Sequence, residues 1–272
     1  MGKKYDTVLT VAGSDTIAGA GIQADLKTFS AIGCYGVSVI TALTAQNTKG
    51  VTGIHPVPLD FIEKQFEAIA SDINIETVKL GMLYSKDIVD LIAQKIIKYK
   101  IKKVVLDPVM VAQSGDSLFL DNLNTAIIEK LLPLATIVTP NLYEASVLLN
   151  EKINDISDME VAAKKLAKYG STSVLIKGGH LINSENKCLD VLYISQTDQT
   201  IILSEEKIST NNNHGTGCTL ASAIASYLEK GFSIVESVKK GKKFITHALK
   251  AGESYSLGAG AGPVHHFFNF WT

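Results

Sequence analysis

Apolar residues along this chain switch between two rhythms. Short runs rich in β-branched residues, Val8–Ala12, Val37–Leu43, Val78–Leu80, Val104–Leu106, Thr136–Val138 and Val174–Ile176, read as strands. Between them, Ile22–Ile32, Leu59–Ala70, Ile88–Tyr99 and Val161–Tyr169 carry apolar residues at helical spacing with charge opposite, as packing helices do. This alternation from end to end predicts an α/β fold around an open, largely parallel sheet. Cys188–Ile194 and Thr200–Leu203 read as an antiparallel pair flanking that sheet, and Gly217–Leu228 and Ile234–Leu249 as two long helices. After Gly252 the glycines 258, 260 and 262 and Pro263 predict a loop-like tail. No Pro/Ser-rich linker interrupts the pattern, so residues 1–272 are expected to form a single domain.

The polar residues fall at one kind of place. Ser14–Asp15, Gln46–Asn47, Gly81–Met82, Asp107–Pro108, Asn141 with Glu144, and Lys177–Gly178–Gly179 all follow the carboxyl ends of predicted strands. Ligands of parallel α/β sheets bind along that edge, so one site would gather all six segments.

Composition narrows the class of partner. Hydrophobic residues make up 46% and charged residues 19%, which suits a globular enzyme and excludes a disordered chain. A formal net charge of −1 lacks the basic footprint of a nucleic-acid binder, which leaves a small molecule as the expected partner. Cys34, Cys188 and Cys218 are odd in number and widely spaced, against a disulfide framework and in keeping with a reducing compartment. The apolar stretch after Met1–Asp6 is too short for a signal peptide, and no run is long enough to span a membrane. A cytoplasmic location is the expectation.

The segment Asn213–Ser222 is the most informative. Gly215 and Gly217 lead directly into an amphipathic helix, where glycine lets amides turn toward an anion and the helix dipole adds to the attraction. Gly215, Thr216, Gly217 and Cys218 are therefore the candidate phosphate cradle and reacting centre. The same dipole would favour a Cys218 thiolate. Taken alone, the glycines make a tight turn and the cysteine packs as a small apolar residue; only the other segments shift that balance.

Asp107 and Glu144 follow strands and would hold Mg²⁺ through water, as phosphoryl transfer requires; their plainer roles are a turn initiator and a helix-start acid. Lys177 ends an apolar strand before two glycines, where an ammonium would reach a nucleotide phosphate, or simply be solvated. In the loop Gly13–Asp25 the small residues leave room for a substrate ring, and Asp25 is available to bond its polar edge. Gln46 offers a donor and an acceptor together, which suits an aminopyrimidine or pyridine edge. No dinucleotide fingerprint and no Walker sequence is present, and the histidines are not at metal-ligand spacing.

Together these segments resemble the ribokinase-like superfamily and, within it, the hydroxymethylpyrimidine/phosphomethylpyrimidine kinases of thiamin biosynthesis. The resemblance rests on Ala12–Asp15, Gly19–Lys27, Thr41–Thr48, Gly81–Met82, Asp107–Met110, Thr139–Asn141 with Glu144, Lys177–His180, His214–Thr219 and Gly262–Val264. It implies a three-layer α/β/α fold with a central, mostly parallel sheet. It also implies transfer of the γ-phosphoryl of ATP, with Mg²⁺, to 4-amino-5-hydroxymethyl-2-methylpyrimidine and then to its monophosphate. Carried over by position, Gln46 and Asp25 would bind the pyrimidine edge, and Gly13, Ala20, Met82 and Val109 would line the ring pocket. Thr139, Asn141 and Lys177 would contact ATP, Asp107 and Glu144 would organise the metal, and the amides of Gly215 to Cys218 would form an anion hole. A homodimer is implied as well. Thr16–Ile17–Ala18 and Asn213 depart from the residues most common in relatives. Pyridoxal or pyridoxine kinase is the alternative, since both substrates carry a hydroxymethyl group on a six-membered nitrogen heterocycle; a non-catalytic precursor sensor on the same fold is a further one.

Overall fold

The computed structural model describes residues 2–110, 123–179 and 186–271. Among the described residues, nine strands form one sheet in the order β3-β2-β1-β4-β5-β6-β7-β8-β9. They are β1 (Thr7–Ser14), β2 (Tyr35–Asn47), β3 (Gly50–Pro56), β4 (Thr77–Leu80), β5 (Lys103–Leu106), β6 (Ile137–Val138), β7 (Ser173–Lys177), β8 (Lys187–Ile194) and β9 (Gln199–Glu206). The pairings from β2 through β1, β4, β5 and β6 to β7 are parallel, and β3, β8 and β9 join antiparallel at the two edges.

Period-two alternation divides the strand residues between two helical layers. Leu9, Val11, Val78, Leu80, Val104 and Leu106 face α2 (Leu59–Ala70), α3 (Lys86–Lys98), α4 (Leu123–Ala126), α5 (Leu142–Leu149) and α6 (Ile156–Ala167). Val8, Val105, Ile137 and Leu175 face α1 (Gly21–Ile32), α7 (Thr216–Glu229) and α8 (Ile234–Gly252). Because these strands are covered on both sides, their sequence is apolar at nearly every position. Each fully buried Leu, Ile or Phe contributes roughly 1.5–3 kcal/mol, and Phe29 and Phe66 anchor the two layers on opposite faces.

The elements depart from the sequence expectation at two places. Strand β2 continues through Thr44–Asn47 and turns back as β3, so Gln46 stands on an edge hairpin with a register shift between Ala45 and Gln46 rather than on a loop. Polar, half-exposed edge strands carry little apolar pattern, and β3 has none to read. Helix α6 begins at Ile156 and not at Val161, because the Asp155 side chain caps it by accepting from the Asp158 amide. After α4 the chain widens into a π turn over Ile127–Leu131 and then tightens into a 3-10 turn over Leu132–Leu134.

The connection from β1 runs to β2 on one side, while β4 lies on the other. The carboxyl ends of β1 and β4 therefore bound a crevice where strand order reverses, the expected place for a ligand in such sheets.

Candidate active site

A cavity of about 870 Å³ opens at that crevice. Gly13, Ala20, Gln46, Met82, Asp107, Val109, Asn141, Glu144, Lys177 and Gly215 to Cys218 all line it. Two sequence-predicted residues do not. Asp25, in α1, is wholly buried: its carboxylate accepts from Thr10 Oγ1 at 2.6 Å, Ser222 Oγ at 2.6 Å and Lys79 Nζ at 2.9 and 3.0 Å. It has no capacity left for a ligand edge, because the helical turn that carries it faces the sheet. Thr139 is also wholly buried and donates toward Asp107 Oδ1 at 3.2 Å, so it steadies that carboxylate instead of touching a nucleotide.

One end of the cavity is apolar. Ala42 and Met82 pack there with Val51, Ile54 and Val109. A Cβ at Gly13 would lie 2.6 Å from Met82 Cε, so any larger residue there would push the Met82 side chain aside. Gln46 reaches across this end, its amide nitrogen 3.4 Å from His214 Nε2 and its Oε1 3.2 Å from Thr44 Oγ1.

The middle is built by two loops locked together. Asp15 Oδ2 accepts from the amides of Gly19 and Ala20 at 3.0 and 2.8 Å, Oδ1 accepts from Ile17 at 3.1 Å, and His214 Nε2 stands 2.7 Å from Oδ2. Burial alone would raise the Asp15 pKa, but His214 and the loop amides outweigh it and hold the carboxyl below its usual value. His214 is also clasped by the tail, its amide donating to Gly262 O at 2.9 Å. Gly215 follows with φ +83°, pressed so closely on Gly19 that a Cβ would fall 1.7 Å from its carbonyl oxygen. Helix α7 then opens with Thr216, Gly217 and Cys218; the Thr216 amide turns back to Asn213 O at 3.3 Å, while those of Gly217 and Cys218 are first-turn donors with no helical carbonyl four residues before them. A Cβ at Gly217 would stand 3.3 Å from Lys177 Nζ and 3.7 Å from Asp107 Oδ2, so the helix end abuts both charges.

The Cys218 thiol does not match the thiolate expectation. Its side chain meets the cavity, yet burial among packed atoms pushes its pKa up to about 11, with Lys79 pulling the other way. Desolvation therefore works against the helix dipole here and holds the thiol above its ordinary pKa.

At the far end Lys177 Nζ lies 2.8 Å from Asp107 Oδ1 and 3.9 Å from Glu144 Oε2. Burial opposes the Lys177 charge, but Asp107 and Glu144 outweigh it and raise its pKa. Glu144 is pushed above the usual carboxylate range, by burial first and then by Asp107, against the pull of Lys177. Asn141 and Glu144 form a capping box on α5: the Glu144 amide donates to Asn141 Oδ1 at 2.9 Å, and the Asn141 amide to Glu144 Oε2 at 2.7 Å. Two carboxylates flanked by a lysine suit a magnesium ion, which keeps most of its ligands as water and phosphate oxygen. No group of three or more acidic, histidine or cysteine ligands occurs among the described residues.

This arrangement is matched by a known family. The family model described as phosphomethylpyrimidine kinase matches residues 15–265. The chain belongs to the phosphomethylpyrimidine kinase family. A hydroxymethylpyrimidine/phosphomethylpyrimidine kinase from Rhizobium meliloti is 45% identical over 97% of this chain and 97% of its own length. Among solved structures, the pyridoxal kinase from Staphylococcus aureus in complex with ADP superposes with a TM-score of 0.90 at 37% identity, covering 98% of this chain and 96% of that one. The phosphomethylpyrimidine kinase from Clostridium difficile gives 0.78 at 43% identity, over 89% and 99%. The sequence of this family member concealed three features of the site: the Asp15–His214 clasp, Lys79 behind the anion hole, and the buried Asp190–Lys242 pair at 2.5 Å on the cavity wall. Only Lys79 carried a signal, as a charge inside the apolar run Val78–Leu80. His180, part of the family-like segment after Lys177, lies outside the described residues.

Proposed function

We propose that the chain phosphorylates 4-amino-5-hydroxymethyl-2-methylpyrimidine and then its monophosphate, using ATP with Mg²⁺. One observation supports this reading: a single cavity is lined by the start of α7, by the apolar residues beside Gln46, and by Lys177, Asp107 and Glu144. Such a lining would suit a ring, a transferring phosphoryl group and a charged triphosphate held in one cavity.

The ring would lie among Gly13, Ala20, Met82 and Val109, with Gln46 supplying a donor and an acceptor to its amino-pyrimidine edge. Asn141 and Lys177 would hold the phosphates. Asp107 and Glu144 would hold Mg²⁺ through water, and the ion would neutralise charge on the phosphate oxygens. The amides of Thr216, Gly217 and Cys218 would stabilise the charge spread over the transferring group, which is the main catalytic demand in phosphoryl transfer. With its thiol neutral at rest, Cys218 would serve through its amide and not as a standing base.

The alternative acceptor is pyridoxal, favoured by the TM-score of 0.90 to a pyridoxal kinase. A coupled assay over a panel of hydroxymethyl heterocycles and their monophosphates, with product masses determined, decides between them. A higher kcat/KM for pyridoxal than for the pyrimidine alcohol would overturn the first reading.

A further inference from the structure

The glycine-rich tail after α8 folds back over the molecule, and its backbone is pinned at two places. At the turn between β2 and β3, the Gly260 amide donates to Thr48 Oγ1 at 3.1 Å and the Ala261 amide to Thr48 O at 2.9 Å. Beside the chain entering α7, the Gly262 amide donates to Asn211 O at 3.2 Å, the His214 amide to Gly262 O at 2.9 Å and the Val264 amide to His214 O at 3.4 Å. Consecutive tail residues therefore touch both. Each contact adjoins the site, because Thr48 lies two residues beyond Gln46 and His214 immediately precedes Gly215, and Gln46, His214 and Gly215 all line the cavity.

The tail sits too close at both places for a side chain. A Cβ at Gly260 would fall 2.0 Å from Thr48 O and 2.5 Å from Thr48 C, which are backbone atoms. A Cβ at Gly262 would fall 1.9 Å from Asn212 Oδ1, and that amide is tethered, its Nδ2 donating to Gly252 O at 2.7 Å and Tyr255 O at 2.6 Å. Neither glycine adopts a positive φ, so close approach is what calls for glycine here. Past the second contact, Val264 is buried in the layer of α7 and α8, and the His265 amide donates to Ala248 O at 3.1 Å. The tail is thereby anchored to the body of the fold.

We infer that Gly260 and Gly262 are positioning residues: by seating the tail on Thr48 and on Asn211–His214 together, they set where the Gln46 edge stands relative to the amides that open α7. The inference rests on the reading above, in which the acceptor alcohol lies beside Gln46 and transfer occurs at α7. Reacting atoms must come within about 3–3.5 Å, and a misplacement of about 1 Å costs about 100-fold. A backbone tie three residues long fixes that spacing directly.

The two ends of the tie should fail differently. In Gly260→Ala the hairpin turn is pushed away with Gln46, so KM for the pyrimidine alcohol should rise about ten-fold, the weakening of roughly one hydrogen bond, with kcat and KM for ATP within about three-fold of parental. In Gly262→Ala the push falls on Asn212 and the chain entering α7, so kcat should fall about ten-fold or more while KM for the alcohol stays within about three-fold. Thr48→Val removes only the side-chain oxygen that accepts from Gly260 and should raise KM for the alcohol about five-fold. A tail that merely holds the fold together would lower Tm and leave kcat and KM parental. That result, or the same change of both constants in the two glycine variants, would overturn the inference; if the glycine variants do not fold, an unchanged KM in Thr48→Val overturns it alone. The parental enzyme is assayed alongside with the pyrimidine alcohol. If it fails to phosphorylate that alcohol, the proposed function falls; if it succeeds and the variants keep pace, only the role of the tail does.

Discussion

Replacing Gly215 with alanine puts a methyl carbon where the structure has none to spare. The new Cβ would lie 1.7 Å from Gly19 O and 3.3 Å from Ala20 Cα, against backbone that cannot swing aside as a side chain can. Reaching even a tight contact needs about 1.3 Å of extra separation, so either the Asp15–Gly21 loop or the start of α7 must shift. A φ of +83° adds a penalty of about 1–2 kcal/mol for any residue with a Cβ. The move falls on the amides of Thr216, Gly217 and Cys218, and a misplacement of about 1 Å in a catalytic array costs about 100-fold, or about 2.7 kcal/mol of barrier. A coupled ADP-release assay with hydroxymethylpyrimidine should therefore show kcat down about 100-fold, and thermal denaturation a Tm lower by a few degrees. If Gly215→Ala turns over within about three-fold of the parental rate, the amides are not held where transferring charge needs them, and the anion-hole argument is refuted.

Other consequences are open to measurement. With its pKa near 11 against an ordinary 9.0, the Cys218 thiol should be alkylated by iodoacetamide about 100-fold more slowly than an unshifted cysteine near pH 7, with the rate climbing as pH rises; rapid, pH-independent labelling of the Cys218 peptide would contradict this. His266 is buried against Thr219 Oγ1 at 3.0 Å, and burial first, then Lys27 and His265, depress its pKa to about 3 from 6.5. The folded state therefore binds fewer protons than the unfolded one between those values, so stability is full above about pH 6.5 and is lost as pH falls toward 3. The loss reaches about 2 kcal/mol by pH 5, and His266→Gln should remove that component from the pH dependence of Tm. Lys242→Met strands the buried Asp190 carboxylate and should cost about 3–5 kcal/mol, with Lys242→Met/Asp190→Asn recovering much of it in thermal melts; equal Tm values for the two variants would argue against the pair.

Much of this was written in local pattern. Strand residues covered on both faces must be apolar, and helix residues facing the sheet must recur every three or four positions, so β1, β4, β5, β7 and the long helices could be read directly from the sequence. Gly215, Gly217 and Cys218 announced a helix N-terminus, and the strand-end positions of Asp107, Glu144 and Lys177 pointed to one edge of the sheet. What only the tertiary structure decided was the environment of each group. Asp25 and Thr139 looked like ligands because residue type and motif say nothing of which way a buried turn faces. Cys218 looked like a thiolate because a helix dipole is local and visible in sequence, whereas the desolvation that overrides it comes from atoms distant in the chain. The contacts of Asp15 with His214, 199 residues on, and of Lys79 with Asp25, 54 residues back, exist only once the strands are ordered. Periodicity fixes what is inside; the sheet's order, by bringing remote charges together, settles what those charges do.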